Sequence, residues 1–505
     1  MSVTSKIAVV DLFAGPGGLG EGFSSFATSR GQHPFEIVLS AEKDPFAQQT
    51  LELRTFLRAF RGRDEIPPEY RDFLAGHLSR AQLFERYPRE TLKALQHAKP
   101  FELGEHNRTA LESRLDELAL DPDRCVVIGG PPCQAYSLAG RSRNGAKVDW
   151  SLETDHRSHL YREYLHVLAH VQPIAFVMEN VKGLLSARLD GQLLFQRILA
   201  DLHNPKGALR NGAKGRTYRI VPVVSLAEDT TPSLFPRARE LYPSDFVVRS
   251  ERFGIPQARH RVILVGICEK ERSRTEHLAE VKRPRTVRRA IGALPKLRSG
   301  LSGAEDGRSE WLKVLGDVRR EPWLSEIDRD VAARIRTAID EAQEQDLARE
   351  VEWVRGRSKL QVCVNHDTRG HMREDLHRYL FASAWADLRR QSPTLREFPP
   401  SLLPEHANIH KALARGHFGD RFRVQVWDQP STTVVSHISK DGHYYIHPDP
   451  AQCRSLTVRE AARLQTFPDD YWFCGPRTAQ YHQVGNAVPV ELARQIAALV
   501  HNQVA

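Results

Sequence analysis

The run Asp11-Leu12-Phe13-Ala14-Gly15-Pro16-Gly17-Gly18-Leu19-Gly20 limits the possible folds of this chain more than any other. It closes the apolar stretch Ile7–Ala14 and carries a literal G-x-G-x-x-G. Glycines at that spacing let a backbone turn tightly and approach a ligand closely. The pattern has meaning where it follows a strand and opens a helix. Further short apolar runs rich in Val and Ile, at Glu36–Ala41, Cys125–Gly130 and Ala175–Glu179, stop at Gly, Pro or acidic residues. Stretches with helical spacing, such as His159–His170, separate them. That alternation predicts an α/β class with a mainly parallel, doubly wound sheet. Tyr218–Ala227 and His260–Ile267 read as neighbouring strands late in that sheet, forming an antiparallel pair.

The rest of the chain is organised differently. From about Cys268 to Arg454 the βαβ character fades, and the segment opens on Lys282-Arg283-Pro284-Arg285-Thr286-Val287-Arg288-Arg289. This reads as a second domain with a surface suited to DNA. Beyond it, Thr457 and Glu460 form a T-x-x-E capping box opening a helix from Val458 to Gln465. Pro489 suits the first turn of a final amphipathic helix running to about Val500. A length of 505 residues fits roughly two to four domains. No apolar run approaches the ~20 residues of a membrane span, and the start lacks a signal-peptide layout, so a cytoplasmic protein is expected. Six cysteines without a C-x-x-C pair exclude a disulfide framework and argue against structural zinc. A net charge of +9 fits a polyanionic partner.

Several residues carry candidate chemistry. Glu42 follows the second strand, where an acid can bond ribose hydroxyls. The glycine loop alone does not distinguish a dinucleotide from S-adenosylmethionine. Gly129-Gly130-Pro131-Pro132-Cys133-Gln134 holds a thiol on a proline-stiffened loop at a strand's carboxyl end. Such a cysteine can act as a nucleophile. Glu179 ends another strand and can reach the same cleft. Arg259 and Arg261 alternate, so both point to one face and can hold phosphate or a base edge.

In their order these motifs resemble the DNA (cytosine-5) methyltransferase family. The resemblance rests on Asp11–Gly20, Glu42, Pro131-Pro132-Cys133-Gln134, Glu179-Asn180-Val181, Gln257-x-Arg259-x-Arg261, Arg454–Phe467 and Gln483-Val484-Gly485-Asn486-Ala487-Val488-Pro489. It implies a Rossmann-like, S-adenosylmethionine-dependent methyltransferase sheet with a separate target-recognition domain. It also implies covalent attack by Cys133 on C6 of a flipped cytosine, with Glu179 bonding N3 and the exocyclic amine. Arg259 and Arg261 would hold the base. Phe13, Gly15, Gly17, Gly18 and Leu19 would contact the cofactor, Glu42 would bond its ribose, and Pro132 and Leu160 would line the pocket. Asn486 and Ala487 would close that pocket from the C-terminal segment.

The boundaries that follow are 1–267 for catalysis and cofactor, 268–454 for target recognition, 455–482 for a hinge and DNA-facing helix, and 483–505 for the return. The implied partner is double-stranded DNA, a cognate restriction endonuclease is a candidate partner, and a monomer is expected. No metal is expected, although Asn365-His366-Asp367-Thr368-Arg369-Gly370-His371 carries two histidines. Arg459 and Arg463 share a helix face and read as phosphate contacts. Glu102 is the candidate for the adenine amine. An RNA cytosine-5 methyltransferase and a catalytically inactive DNA-binding protein are the rival readings. The large middle segment favours DNA, and retention of Cys133, Glu179 and the glycine loop favours catalysis.

Overall fold

The computed structural model describes residues 6–60, 66–132, 160–189, 192–209, 213–225, 241–271, 276–303, 305–350, 363–405, 409 and 421–505. The first apolar run forms β1 (Ile7–Leu12), and the glycine loop leads into α1 (Gly18–Ser25). β2 (Phe35–Glu42) follows, then α2 (Pro45–Arg58), whose N-terminus Asp44 caps by accepting from the amides of Phe46 and Ala47 at 3.0 and 2.8 Å. Three helices, α3 (Pro68–Leu74), α4 (Arg80–Arg86) and α5 (Pro88–His97), occupy the interval before β3 (Ala98–Pro100). Then come β4 (Cys125–Gly129), α6 (Leu160–Val171), β5 (Ala175–Val181), β6 (Tyr218–Val221), β7 (Val247–Arg249) and β8 (His260–Cys268).

The strands lie in the order β3-β2-β1-β4-β5-β8-β6, with β7 also paired to β8. β3, β2, β1, β4 and β5 run parallel, and β8 is antiparallel to β5, β6 and β7. This is the mainly parallel sheet, with the Tyr218 and His260 strands as antiparallel neighbours, that the sequence predicts. Strand order reverses between β1 and β4, so their carboxyl ends border the crevice where such sheets bind ligands.

Both sheet faces are covered, which is why the central strands read as unbroken apolar runs. On one side Val10, Leu12, Cys125, Val127, Phe176 and Met178 meet the residues of α6. On the other, Val9, Val126, Ile128, Val177 and Ile263 pack against Leu492, Ile496 and Val500 of the last helix. Each such burial contributes about 1.5–3 kcal/mol. α7 (Arg308–Asp317), α8 (Arg329–Glu344) and α9 (Arg373–Arg389) build a separate core around Trp311, Trp323, Ile335 and Phe381.

The chain then returns through α10 (Val458–Leu464), α11 (Arg477–Asn486) and α12 (Val490–Val504). α12 lies against α1 so closely that a Cβ on Gly22 would fall 2.3 Å from the Ala493 Cβ. Among the described residues no helix is long and apolar enough to cross a membrane.

The capping box forms as its spacing predicts: Thr457 Oγ1 accepts from the Glu460 amide at 3.2 Å, and Glu460 Oε2 accepts from the Thr457 amide at 2.7 Å. The same carboxylate takes both terminal nitrogens of Arg454, at 2.7 and 2.6 Å, with each side chain 1% exposed.

The helix they start corrects two expectations. α10 is not DNA-facing, because it is buried along its whole length except at half-buried Arg463. Arg459 and Arg463 are not phosphate contacts. Arg459 donates to the carbonyls of Val364, Pro468 and Tyr471, and Arg463 holds Asp469 through two 2.7 Å bonds. Their shared face meets protein, where the side chains satisfy loop carbonyls.

Glu460→Gln strands the Arg454 guanidinium in the interior without a counter-ion. Urea unfolding of this variant should show a loss of about 3–5 kcal/mol; a loss under about 1 kcal/mol would mean the pair is not integral to the junction.

Candidate active site

The loop after β1 is built from backbone that side chains rarely adopt. Phe13, Gly15 and Gly17 have φ of 54°, 56° and 91°, all in the left-handed region. Glu42, at the end of β2, fastens the loop: its Oε2 accepts from the Gly15 amide at 2.7 Å, and its Oε1 accepts from the amides of Lys43 and Asp44. Phe13, Ala14 and Gly15 remain half-buried, while Pro16, Gly17 and Gly18 are buried behind them. The loop therefore has an open front and a packed back. Leu19, 5% exposed as a residue, sits in the core.

The back of the loop meets the C-terminal segment. A Cβ on Gly18 would lie 2.3 Å from the Val488 carbonyl oxygen, so only glycine fits there. Asn486, which is exposed, and Ala487, which is 4% exposed, directly precede this contact residue. Glu102 lies just past β3, within 3.5 Å of Lys43, on the same side as Glu42.

Beside this loop, at the ends of β4 and β5, a second group assembles. Glu179 Oε1 pairs with Arg261 Nε at 2.8 Å, with side chains only 13% and 12% exposed. Register explains the meeting, because β8 runs antiparallel to β5 with Arg261 opposite Val181 and Ile263 opposite Glu179. A Cβ on Gly130 would stand 3.0 Å from Glu179 Oε2, so the carboxylate overlies the Gly130-Pro131-Pro132 loop. Asn180 Nδ2 donates to the Pro131 carbonyl at 3.4 Å. Pro132 is half-buried at the end of this loop, and Leu160 opens α6. Cys133, the next residue, lies outside the described residues.

Arg259 is placed differently from Arg261. Its Nη1 donates to the Val434 carbonyl at 2.6 Å, and both terminal nitrogens donate to the Gly485 carbonyl at 3.2 Å. Gln257 completes the junction, accepting from the Val434 amide at 2.6 Å and donating to Gln465 Oε1 at 3.1 Å. Gln465 in turn donates to the carbonyls of Val484 and Ala487.

Sequence reasoning missed Asp11. It is 1% exposed, and among the described residues no side chain hydrogen-bonds its carboxylate, which faces the backbone of Gly20. Burial pushes its pKa up to about 8. Its place in the glycine run was visible in the sequence, but its burial was not. The two histidines considered for metal are engaged elsewhere, His366 with Thr457 Oγ1 and the Pro295 carbonyl, and His371 with Ser455 Oγ. Lys282, Arg283 and Arg285 of the basic cluster are exposed, and Arg288 pairs with Asp428 at 2.9 Å.

The family described as C-5 cytosine-specific DNA methylase matches residues 90–205 and 244–502. The type II methyltransferase M.Bpa9945I of Bacillus paralicheniformis is 34% identical over 515 residues, covering 97% of this chain and 98% of that protein. The DNA (cytosine-5-)-methyltransferase M.ApeKI of Aeropyrum pernix is 26% identical, covering 74% of this chain and 80% of that protein.

A carboxyl with a raised folded pKa keeps a proton that the unfolded chain has released. Its contribution therefore weakens from its ordinary value of 3.8 up to about 8. Asp11→Asn removes that dependence, so the variant should gain on the wild type by about 1.4 kcal/mol per pH unit between pH 6 and 8 in urea unfolding. A constant difference across that range would show that Asp11 is ionised in the folded protein.

Proposed function

The chain belongs to the C-5 cytosine-specific DNA methylase family, and from that premise we propose that it methylates C5 of a cytosine flipped out of a specific duplex sequence through a covalent Cys133–C6 bond. It is a DNA (cytosine-5)-methyltransferase by kinship; the residue roles below are this reading's own. The observation that carries it is the Glu179–Arg261 pair overlying the Gly130–Pro132 loop.

C5 and C6 are inaccessible within the base stack, so the nucleotide must leave it. The Cys133 thiolate adds to C6, breaking the C5–C6 π bond and moving electron density to C5. Carrying a proton, Glu179 donates to N3 while its second oxygen accepts from the exocyclic amine, and Arg261 holds the group in place, so charge shifted into the ring meets preorganised partners. Arg259 acts through the backbone, fixing Val434 and Gly485 around the base pocket. After transfer a base removes the C5 proton, the C5–C6 double bond re-forms and the Cys133 sulfur leaves.

When bound, S-adenosylmethionine supplies an electrophilic methyl group on a sulfonium. The residues present suit it. The loop has a half-buried front at Phe13–Gly15 with no phosphate-directed lysine in it, an acid at Glu42 for ribose hydroxyls, and a tightly packed back at Gly17 and Gly18. Pro132, Leu160, Asn486 and Ala487 would line the remainder.

In this reading residues 1–267 bind cofactor and base, 268–454 recognise the target, and 483–505 return to complete the cofactor site. Exposed Lys282, Arg283 and Arg285 would contact DNA phosphates. This reading includes a restriction–modification role with a cognate endonuclease as candidate partner, and relatives named as type II methyltransferases support it.

Duplex DNA carrying 5-fluorocytosine tests the covalent step, because fluorine at C5 cannot leave as a proton. The wild type should form a denaturant-resistant adduct, and Cys133→Ser should form none while still binding DNA. An adduct in the serine variant would assign the nucleophile elsewhere. Glu42→Ala should weaken S-adenosylhomocysteine binding in calorimetry by about 10–100-fold, the value of a lost charge-assisted bond; unchanged affinity would remove Glu42 from the cofactor site.

A further inference from the structure

The back of the glycine loop rests on one side chain from far along the chain. Tyr471 is fully buried, and its hydroxyl donates to the Pro16 carbonyl. The missing Cβ of Gly17 would stand 3.0 Å from that same hydroxyl and 2.8 Å from Leu51 Cδ2. The phenol is itself fixed. The Arg54 guanidinium lies 4.9 Å from its ring centroid, bound to Glu21 of α1 at 2.6 Å and to Asp470 at 3.4 Å. Its backbone carbonyl takes a bond from buried Arg459.

We propose that Tyr471 is a positioning residue for the cofactor, its hydroxyl setting the Pro16–Gly17 peptide so that the loop front at Phe13–Gly15 holds its binding shape. This rests on the reading of that loop as the S-adenosylmethionine site. A loop with three residues at positive φ has other conformations open to it, and a lone buried carbonyl without its donor favours leaving the interior. The strut removes that freedom before any ligand arrives, so affinity does not bear the cost of ordering. The Tyr471 hydroxyl bonds the loop at Pro16, whereas Glu179 and Arg261 bond each other, so Tyr471 acts on the reaction through the loop.

Tyr471→Phe keeps the ring and removes the bond. Tyr218→Phe is the matched control, because Tyr218 is also buried and donates to a prolyl carbonyl, that of Pro173 at 2.9 Å, on the far strand β6. S-adenosylhomocysteine binding by calorimetry should weaken about tenfold in Tyr471→Phe and stay within about twofold in Tyr218→Phe. The KM for S-adenosylmethionine should rise by a similar factor, with kcat at saturation and the KM for DNA unchanged. Amide exchange in peptides covering 13–18 should quicken only in Tyr471→Phe.

Equal binding by wild type and Tyr471→Phe would overturn the proposal, as would equal weakening in both variants. A wild-type chain that binds no S-adenosylhomocysteine would instead overturn the cofactor reading on which it stands.

Discussion

The arrangement depends on the buried guanidinium of Arg259, which among the described residues is bonded by no carboxylate and is held by backbone carbonyls. It joins Val434, in the approach from the middle segment, to Gly485, at the end of α11. Each bond from a charged donor contributes roughly 1.5–3 kcal/mol, and Gln257 and Gln465 add uncharged bonds between the same backbone segments. These segments are distant in sequence and, among the described residues, share no β-ladder beyond the two-residue pairing of Gln257–Ala258 with Ser431–Thr432. Side-chain bonds therefore do here what a sheet does in the first half of the chain.

That junction has two consequences. On one side it leaves Arg261, two residues on, at the start of β8 to meet Glu179 across the antiparallel pair. On the other it aims the 485–488 turn at the glycine loop, where the Val488 carbonyl occupies the space that a side chain on Gly18 would need. The Glu179–Arg261 pair and the glycine loop are thus positioned by one set of buried polar contacts. The last helix then seals the opposite sheet face beneath them.

The parts legible in the sequence are those decided locally. Strand runs, the α10 capping box and the strand–loop–helix context of the glycines follow from periodicity and cap chemistry within a few residues. The parts that were not legible have partners far away in the chain. Arg459 and Arg463 show only i,i+4 spacing, which suits a solvated face as well as an interior one. Their burial depends on loops at Val364 and Pro468–Tyr471 that no local pattern reveals. Alternation placed Arg259 and Arg261 on one face, yet the structure gives one to carbonyls and the other to a carboxylate. Asp11 reads as an ordinary strand-end acid, and only the packing of α1 over it shows that it is desolvated. Tyr471 meets Pro16 from 455 positions away.

The central claim is that this geometry marks cytosine C5 in DNA. The most direct measurement is bisulfite sequencing of plasmid DNA from a host expressing the chain, with Cys133→Ser as the control. Protected cytosines confined to one short motif and lost in the control are the predicted result. Plasmid DNA left wholly unprotected by a folded chain that binds S-adenosylhomocysteine would contradict the account and turn attention to RNA or to binding without catalysis.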